Sequence, residues 1–359
     1  MTRMKPALYA SRSSVRDFSF MTEASATTCL RLPGRFASVL PINCARANLP
    51  EPREVLEFLL MPGSREHIQL SAGSSFRLLR WNRNLREVDV VHPGNRVERI
   101  VGAGNEWHFH QHLELTLFHS GVGTRFVGDH IGPIVPGELV MLGANLPHHW
   151  HALGDTSGLS VQWDFPNGHP FWNLPEAMAV IPLFRQAGRG LYCTGRTQKE
   201  VTQLMKDMVA GGGLDRLGLL LRIFSALASA SATEAKPLST QSFSLPAETT
   251  YQLAMSEAVR YLIANFRDEV RMEEILKFTG LSKPTFWRQF KRHTGKTLTD
   301  FLQEIRLNEV RRQLLESKRS VIEISLSCGF MQVSFFNRLF RRKYGCSPSE
   351  YRERKRRKR

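Results

Sequence analysis

Two histidines and a glutamate stand at spacings of two and four residues near the middle of the chain: His108, His110 and Glu114. Side chains along a β-strand alternate between its faces, so in an extended segment these three project from one face. Imidazole nitrogens and a carboxylate on one face can bind Mn, Fe, Ni or Zn. The same groups can instead hydrogen-bond a polar ligand such as a sugar, or serve only as structural polar residues.

The surrounding sequence is typical of a β-domain. Between Phe76 and Phe165, short apolar runs such as ELTLFHSG, GTRFVG, PGELVMLG and LSVQWDF are separated by Gly and Pro. Runs of this length and spacing favour an all-β sandwich or barrel. We therefore predict a β-domain over residues 61–165.

The segments on either side of the β-domain have different sequence patterns. Residues 1–60 show no sustained apolar period and contain Arg and Ser but few acids, so we expect a disordered or irregular N-terminal extension, with Met61 as an alternative translation start. Residues 166–230 have apolar stripes at helical spacing that nothing local covers. The stripes either pack back on the β-domain or form a dimer interface, and the dimer is favoured because linking two binding units raises affinity. Residues 231–249 are rich in Ser, Thr, Ala and Pro, which indicates a linker.

Positive charge is concentrated at the C-terminal end. The chain has a net charge of +16, and residues 250–359 hold 25 Lys and Arg against 12 Asp and Glu. A segment with that bias attracts polyanions, of which nucleic acid is the commonest. The terminal RERKRRKR accounts for only part of this excess, so a solubilising tail does not explain the whole effect.

The five cysteines are scattered, and no two form a CxxC pair. This argues against a disulfide framework and a zinc finger, and it favours a reducing cytoplasm. No apolar run approaches the length of a membrane span, so we expect no membrane partner.

The C-terminal segment contains a repeated helix-turn-helix pattern. A short helix from Met272 to Phe278 ends at Gly280 and is followed by a second helix with Ser282 as its N-cap. The second helix recurs after 50 residues. The matched pairs are Phe286 with Phe336, Arg288 with Arg338, Phe290 with Phe340, Lys291 with Arg341, Gly295 with Gly345, and Phe301 with Tyr351. Such a repeat is hard to explain by chance, and the helix predicted over 299–316 would hold two recognition helices about 34 Å apart.

The strings RLNEVRRQLL and SVIEISLSCGFMQVSFFNRLFRRKYGCSPSEYR resemble the signature of the AraC/XylS family of bacterial regulators. The resemblance covers residues 251–352. It implies an all-α double helix-turn-helix domain over 250–359 that binds double-stranded DNA, and commonly activation of transcription with RNA polymerase as a partner.

Helix geometry indicates which side chains face DNA. Phe286, Phe290, Phe336, Leu339 and Phe340 face inward, so the outward set is Lys283, Trp287, Arg288, Lys291, Ser334, Phe335, Arg338 and Arg341. By the family resemblance, Trp287, Arg288, Ser334, Phe335 and Arg338 fall on base-reading positions. Arg suits guanine and Phe suits a thymine methyl, although any single Arg here could contact only phosphate or solvent.

The β-domain in turn resembles a cupin jelly-roll, the usual sensor domain of AraC-type regulators. Gly102, His108, His110, Glu114 and Gly121 match the first cupin motif at every spacing. The second motif matches at Gly137 and His148 but lacks its usual Pro and second Gly. The resemblance implies that His148 completes a three-histidine, one-carboxylate site for a divalent transition metal or a small polar effector. Trp107, Trp150 and Trp163 are candidates for stacking on a ligand or for the core.

These sequence features leave three alternative functions. The leading one is a homodimeric activator that responds to a small polar effector, such as a sugar, in the cupin domain. The alternatives are a metal-dependent cupin enzyme with an appended DNA-binding domain, and a constitutive DNA-binding protein whose cupin only dimerises. A duplicated DNA-binding unit argues against the enzyme, which has no need of two spaced recognition helices.

Overall fold

A computed structural model of the chain describes residues 66–71, 73–243, 245 and 251–356. A sheet-rich N-terminal domain precedes an all-α C-terminal domain, which confirms the predicted two-domain architecture. The expected N-terminal extension over 1–60 and the alternative start at Met61 lie outside the described residues. Within the described part of the chain, no helix is both long and apolar enough to span a bilayer.

The described strands form two antiparallel sheets. The strands are β1 (Phe76–Trp81), β2 (Glu87–Val91), β3 (Val97–Val101), β4 (Leu113–Ser120), β5 (Gly123–Val127), β6 (His130–Ile134), β7 (Leu139–Leu142), β8 (His148–Ala152), β9 (Ser157–Trp163), β10 (Leu191–Cys193) and β11 (Ala235–Pro237). The large sheet has the order β11-β10-β7-β4-β9-β1-β2-β3, and the small sheet has the order β6-β5-β8.

Side chains of the large sheet alternate between two different environments. Along β4, Leu115 and Leu117 belong to a core under the domain's helices, whereas Phe118 packs with Trp150 of the small sheet. The sheets therefore enclose an interior, and Glu114 and Thr116, which alternate with the leucines, project into it.

Ten α-helices follow in the described residues. They are α1 (Ile181–Ala187), α2 (Gly195–Ala210), α3 (Gly213–Ala228), α4 (Gln252–Asn265), α5 (Met272–Thr279), α6 (Lys283–Thr294), α7 (Leu298–Glu316), α8 (Val321–Ser327), α9 (Val333–Tyr344) and α10 (Pro348–Arg356). The helices predicted over the helix-turn-helix units agree with α5 to α7 to within one residue.

Helices α2 and α3 cover the outer face of the large sheet. Met205 and Met208 of α2 and Leu220 and Phe224 of α3 are buried in one core with the outward leucines of β4. The sequence left two ways to cover the apolar stripes of residues 166–230, packing back on the β-domain or a dimer interface, and favoured the dimer. The structure shows the first, because the large sheet covers these side chains.

The predicted linker over 231–249 is also wrong in part. Its residues 235–237 form β11, which pairs with β10 and extends the large sheet. Phe243 and Leu245 are buried as well. A composition rich in small polar residues did not show this, because three residues suffice to add a short edge strand.

The C-terminal domain contains two helix-turn-helix units joined by α7. The first consists of α5 and α6, and the second of α8 and α9. The turns need Gly280 and Gly329, whose φ angles are +66° and +86°, a region that residues with a Cβ atom rarely adopt. Helix α7 supplies Phe301 and Ile305 to the first core and Val310 and Leu314 to the second, so one rigid element fixes both units.

A buried carboxylate of α7, that of Glu309, is held mainly by donors of the same helix, and Arg267 after α4 also donates to it at 3.3 Å. Glu309 accepts two hydrogen bonds from Arg312, at 2.7 and 2.8 Å, and one from Gln313 at 2.8 Å. Burial alone would raise the pKa of Glu309, but these donors outweigh burial and lower the pKa to about 2.

We expect Leu220→Ala to destabilise the β-domain by about 2–5 kcal/mol, because it leaves a cavity between α3 and the sheet. Leu214→Ala on the same helix is the matched control: Leu214 is 82% exposed and Leu220 is fully buried. It should change stability by less than about 0.5 kcal/mol. Denaturant unfolding of the two variants measures both values, and equal losses would contradict the placement of α3.

We expect Glu309→Gln to lower the free energy of unfolding by about 2 kcal/mol at pH 7. A carboxyl with a depressed folded-state pKa stabilises above its unfolded pKa of 4.5, and this stabilisation disappears as the pH falls toward 2. The difference between wild type and variant should therefore shrink over that range. Glu316→Gln, which alters an exposed partner of Arg312, is the control and should show little difference at any pH.

Candidate functional site

Three buried imidazoles meet inside the β-domain. His148 begins β8, and His108 lies opposite it in a bridge in which each backbone N–H donates to the other residue's carbonyl, at 3.1 and 2.9 Å. The ring centroids of His108 and His110 lie 4.1 and 5.0 Å from that of His148. One ring nitrogen from each of the three lies within 4.8 Å of the others.

The chain between these histidines and β4 is not one continuous strand. It bends at residues 111–112, and β4 begins only at Leu113. The single strand assumed from His108 to Glu114 is therefore wrong, because the carbonyl of His112 turns to accept a hydrogen bond from Nδ1 of His110 at 2.8 Å. The side chains of His108, His110 and Glu114 nevertheless meet in the interior.

Each of the three histidines uses Nδ1 to contact a backbone carbonyl. The acceptors are the carbonyls of Glu106 at 2.9 Å, His112 at 2.8 Å and Leu146 at 2.8 Å. A carbonyl only accepts, so Nδ1 must carry the proton and, in the neutral ring, Nε2 presents its lone pair. Nε2 of His148 is buried and has no hydrogen-bond partner among the described residues. Metal-binding histidines are held in this way by their second nitrogen.

Glu114 lies beside this cluster on β4. Its Oε2 is 3.1 Å from Nε2 of His110 and accepts a hydrogen bond from Gln162 Nε2 at 2.6 Å, while Thr116 donates to Oε1. Burial favours the neutral acid, but the contact with His110 outweighs burial and lowers the pKa of Glu114. Burial favours the neutral form of His110, but Glu114 outweighs it and raises the pKa of His110.

The pKa values of the other two histidines are shifted in the opposite direction. Burial lowers the pKa of His108 and of His148, and the neighbouring imidazoles lower both further. Both rings are therefore neutral near pH 7 and keep their Nε2 lone pairs. The cluster can bind a divalent transition metal, or it can accept hydrogen bonds from the hydroxyl groups of a ligand.

Glu66 is a further group at this site, and the sequence did not indicate it. Its carboxylate lies 3.6 Å from His108 Nε2 and accepts a hydrogen bond from Arg77 at 2.8 Å. Arg77 also donates to Gln162 at 2.6 Å, which links Glu66 to Glu114 through two side chains. No motif marks Glu66, because it precedes β1 in a stretch without periodicity.

A small cavity adjoins the cluster. Its volume of about 40 Å³ is enough for roughly three water molecules. Among the residues that line it are Glu66, Glu114, Ser160, Trp81 and Trp150, so polar groups and aromatic rings face the same space. Of the three tryptophans considered for stacking, only Trp150 lines this cavity. Trp163 packs against Phe224 of α3, and Trp107 packs against Phe301 of the helical domain.

The second candidate site is the outer surface of α6 and α9. Phe286 and Phe290 of α6 and Phe336 and Phe340 of α9 are fully buried. On the opposite faces, exposed positions are occupied by Lys283, Arg288, Lys291, Ser334, Arg338 and Arg341. The two helices therefore present basic groups at two matching positions of the repeat, Arg288 with Arg338 and Lys291 with Arg341.

Two of the residues predicted to face outward are only half-exposed. Trp287 packs against the core of the first unit, and Phe335 packs against the core of the second. Large aromatic rings cover apolar surface even when the Cβ atom points away from the core. Part of each ring is therefore hidden from any DNA bound at this surface.

Comparison with known proteins identifies the C-terminal domain. A helix-turn-helix domain family matches residues 275–354. The HTH-type transcriptional activator RhaS of Salmonella paratyphi B is 26% identical over 273 residues, which cover 71% of this chain and 90% of that relative. The relative is a transcription activator, so the comparison does not support the enzyme alternative.

Solved structures match as well. The DNA-binding domain of AdpA in complex with a target DNA is 29% identical, with a TM-score of 0.28, over 30% of this chain and 96% of that chain. An AraC-type regulator from Chromobacterium violaceum is 29% identical, with a TM-score of 0.27, over 28% of this chain and 91% of that chain. The helix-turn-helix family match over residues 275–354, the alignment with a transcriptional activator over 71% of this chain and the repeated unit together identify a DNA-binding transcription regulator that is similar to regulators of the AraC/XylS type.

Proposed function

We propose that the chain is a sequence-specific transcription activator whose DNA binding responds to a small polar effector in the β-domain. The observation that supports this is that one chain combines a buried cluster of convergent polar groups with two outward basic recognition helices. The name of the matched relative, a transcriptional activator, supports activation over repression.

On this proposal both recognition helices contact DNA, some of their residues at bases and others at phosphates. Arg288 and Arg338 occupy matching exposed positions on α6 and α9, where a guanidinium can bond guanine O6 and N7. Ser334, with the exposed parts of Trp287 and Phe335, also contacts bases. Lys283, Lys291 and Arg341 neutralise phosphates, and such contacts fix the register of the protein on the duplex.

We expect Arg288→Ala and Arg338→Ala each to weaken binding to a duplex selected from a random pool by about 1–3 kcal/mol, and to relax base preference at one position of each half-site. Arg222→Ala is the control, since it removes the same charge from an exposed position on α3 of the β-domain. Fluorescence anisotropy at several salt concentrations measures both effects. Uniform weakening on all sequences, with a salt slope reduced by about one, would show phosphate contacts instead.

Within the β-domain, His108, His110, Glu114 and His148 hold the effector. Of these four residues, His108 and Glu114 line the cavity beside Trp150. An Nε2 acceptor, a carboxylate and an aromatic ring suit a sugar, whose hydroxyls donate hydrogen bonds and whose apolar face packs on the ring. The cavity has a volume of about 40 Å³, so a sugar requires the site to open.

A divalent transition metal is the second candidate for the same residues. The three buried rings each offer a nitrogen within 4.8 Å of the others, and each ring is fixed through Nδ1, so such an ion requires the rings to close in and Nε2 of His110 to leave Glu114. In that case the metal is a Lewis acid to which a polar effector can bind, and His108, His110 and His148 hold it, with Glu114 beside them.

We expect His148→Gln to abolish binding at this site, because it removes one of the three convergent nitrogens. Metal analysis of the purified full chain and calorimetry with a panel of monosaccharides identify the occupant in the wild type. His119→Gln, an exposed position on β4, should bind as the wild type does. If neither a metal nor a sugar binds the wild type, the proposed effector class is wrong.

We further propose that the regulator is a cytoplasmic homodimer that acts on RNA polymerase. Linking two DNA-binding copies raises affinity without new contacts. Strand β3 offers a surface for a second copy, since it is the edge of the large sheet and exposes Val97 and Val101.

A further inference from the structure

The hydrophobic core of the first helix-turn-helix unit is completed by the β-domain. Trp107, Phe126 and Ile131 are all buried in the same cluster as Phe290 and Phe301 of the first unit. Phe126 stacks on Phe301 with 5.8 Å between ring centroids, and Trp107 meets the same ring edge-on at 6.3 Å.

The second unit has a different core. Among the described residues, its buried cluster consists only of side chains from α7 to α9 and the turns between them. In the repeat, Phe301 corresponds to Tyr351, which packs against Phe340 and Tyr344 of its own unit. The β-domain therefore completes the buried core of the first unit and adds no described side chain to that of the second.

Two hydrogen bonds join the domains at the same place. Ser256 of α4 donates to the carbonyl of Trp107 at 3.0 Å, and Asn308 of α7 donates to the hydroxyl of Thr124 on β5 at 2.9 Å. Asn308 is buried, so the loss of its acceptor would leave a buried donor unpaired.

The turn after α6 also fits closely against the β-domain. Gly295 has a φ of +71°, and a Cβ atom placed on it would lie 2.7 Å from Cβ of Asp129, in the turn between β5 and β6. Asp129 is itself fixed by Ser239 and by the backbone N–H of Thr240, at 2.7 and 2.8 Å. Gly345, the matching residue of the second unit, has the same φ and no atom within 4 Å of such a Cβ.

The interface residues are direct neighbours of the histidine site. Trp107 precedes His108, and His149 follows His148, so side-chain alternation places one of each pair in the site and the other on the outer side. His149 is buried beside Phe126, with 5.4 Å between ring centroids. The backbone bridge between His108 and His148 therefore links the site to the shared core.

The base-reading positions are not covered by this contact. The β-domain meets the first unit at its core and at Gly295, beyond the C-terminal end of α6, whereas Lys283 and Arg288 near the start and middle of α6 are exposed. Recognition helices read bases mainly from their N-terminal residues. The docked arrangement is thus compatible with DNA binding.

We propose that the β-domain holds the first helix-turn-helix unit in its DNA-reading position through this shared core, and that the state of the histidine site controls DNA binding through the first unit alone. The second unit keeps its own core whatever the state of the site. The inference rests on the proposed function, because it assumes that the histidine site is the regulatory one.

Hydrogen exchange of the full chain tests the asymmetry. Thr124→Val removes the acceptor of Asn308 while keeping the side-chain volume, and we expect it to raise exchange at least fivefold in residues 252–294 while residues 321–344 remain unchanged. Gly295→Ala and Gly345→Ala form a matched pair with equal backbone strain. Gly295→Ala should raise hydrogen exchange in the first unit. This increase should be at least tenfold larger than the increase that Gly345→Ala causes in the second unit.

Two further measurements test whether the domain interface affects DNA binding and whether the histidine site affects the first unit. Thr124→Val should weaken binding to the selected duplex at least fivefold with an unchanged salt slope, because Thr124 lies in the β-domain. His148→Gln should raise exchange in residues 252–294 and not in 321–344, whereas Glu114→Gln, in the same site but outside the backbone bridge, should have a smaller effect on both.

Equal exchange changes in the two units, or tighter DNA binding by Thr124→Val, would overturn the inference, and tighter binding would indicate an inhibitory contact. If the wild-type chain selects no duplex at all, the proposed function fails. If it selects one and the interface variants behave as the wild type does, only the present inference fails.

Discussion

Alternation of side chains along the strands determines most of this structure. On β4, every second residue is an apolar side chain that packs under α2 and α3, and the residues between them point into the space between the sheets. On β8, His148 and Trp150 face that space, while His149 lies under the helical domain. The same strands therefore carry polar side chains into the interior and apolar side chains onto two outer surfaces, one on each side of the β-domain.

The polar interior is stable because its groups compensate one another. Unpaired buried charges are very costly, and Glu114 is surrounded by His110, Gln162 and Thr116. Glu66 is neutralised by Arg77 in the same way. His148 is the exception, since its Nε2 is buried without a partner among the described residues. Most buried polar atoms have a hydrogen-bond partner, so this acceptor is available to a ligand or to a water molecule.

The two domains differ in how far sequence predicts them. The helix-turn-helix units follow from local signals: apolar residues at helical spacing, turn glycines at Gly280 and Gly329, and a 50-residue repeat. The existence of the β-domain and three of its histidines also follow from local patterns. Contacts between distant segments do not follow from local patterns, because they depend on tertiary placement. Examples are the position of Glu66, the pairing of β11 with β10, and the packing of α2 and α3 on the sheet. The half-burial of Trp287 and Phe335 was missed for the same reason, since helix geometry gives the direction of a side chain but not its neighbours.

The domain interface shows how one structural asymmetry arises within a duplicated unit. Both units keep the same inward phenylalanines, but only the first packs them against side chains from outside the helical domain. A hydroxyl-radical footprint of the full chain on its selected duplex tests the central claim, that two rigidly spaced recognition helices read DNA. We predict two protected segments on one face of the duplex, about 10–10.5 base pairs apart from centre to centre. A single protected segment, or protection without fixed spacing, would contradict this account.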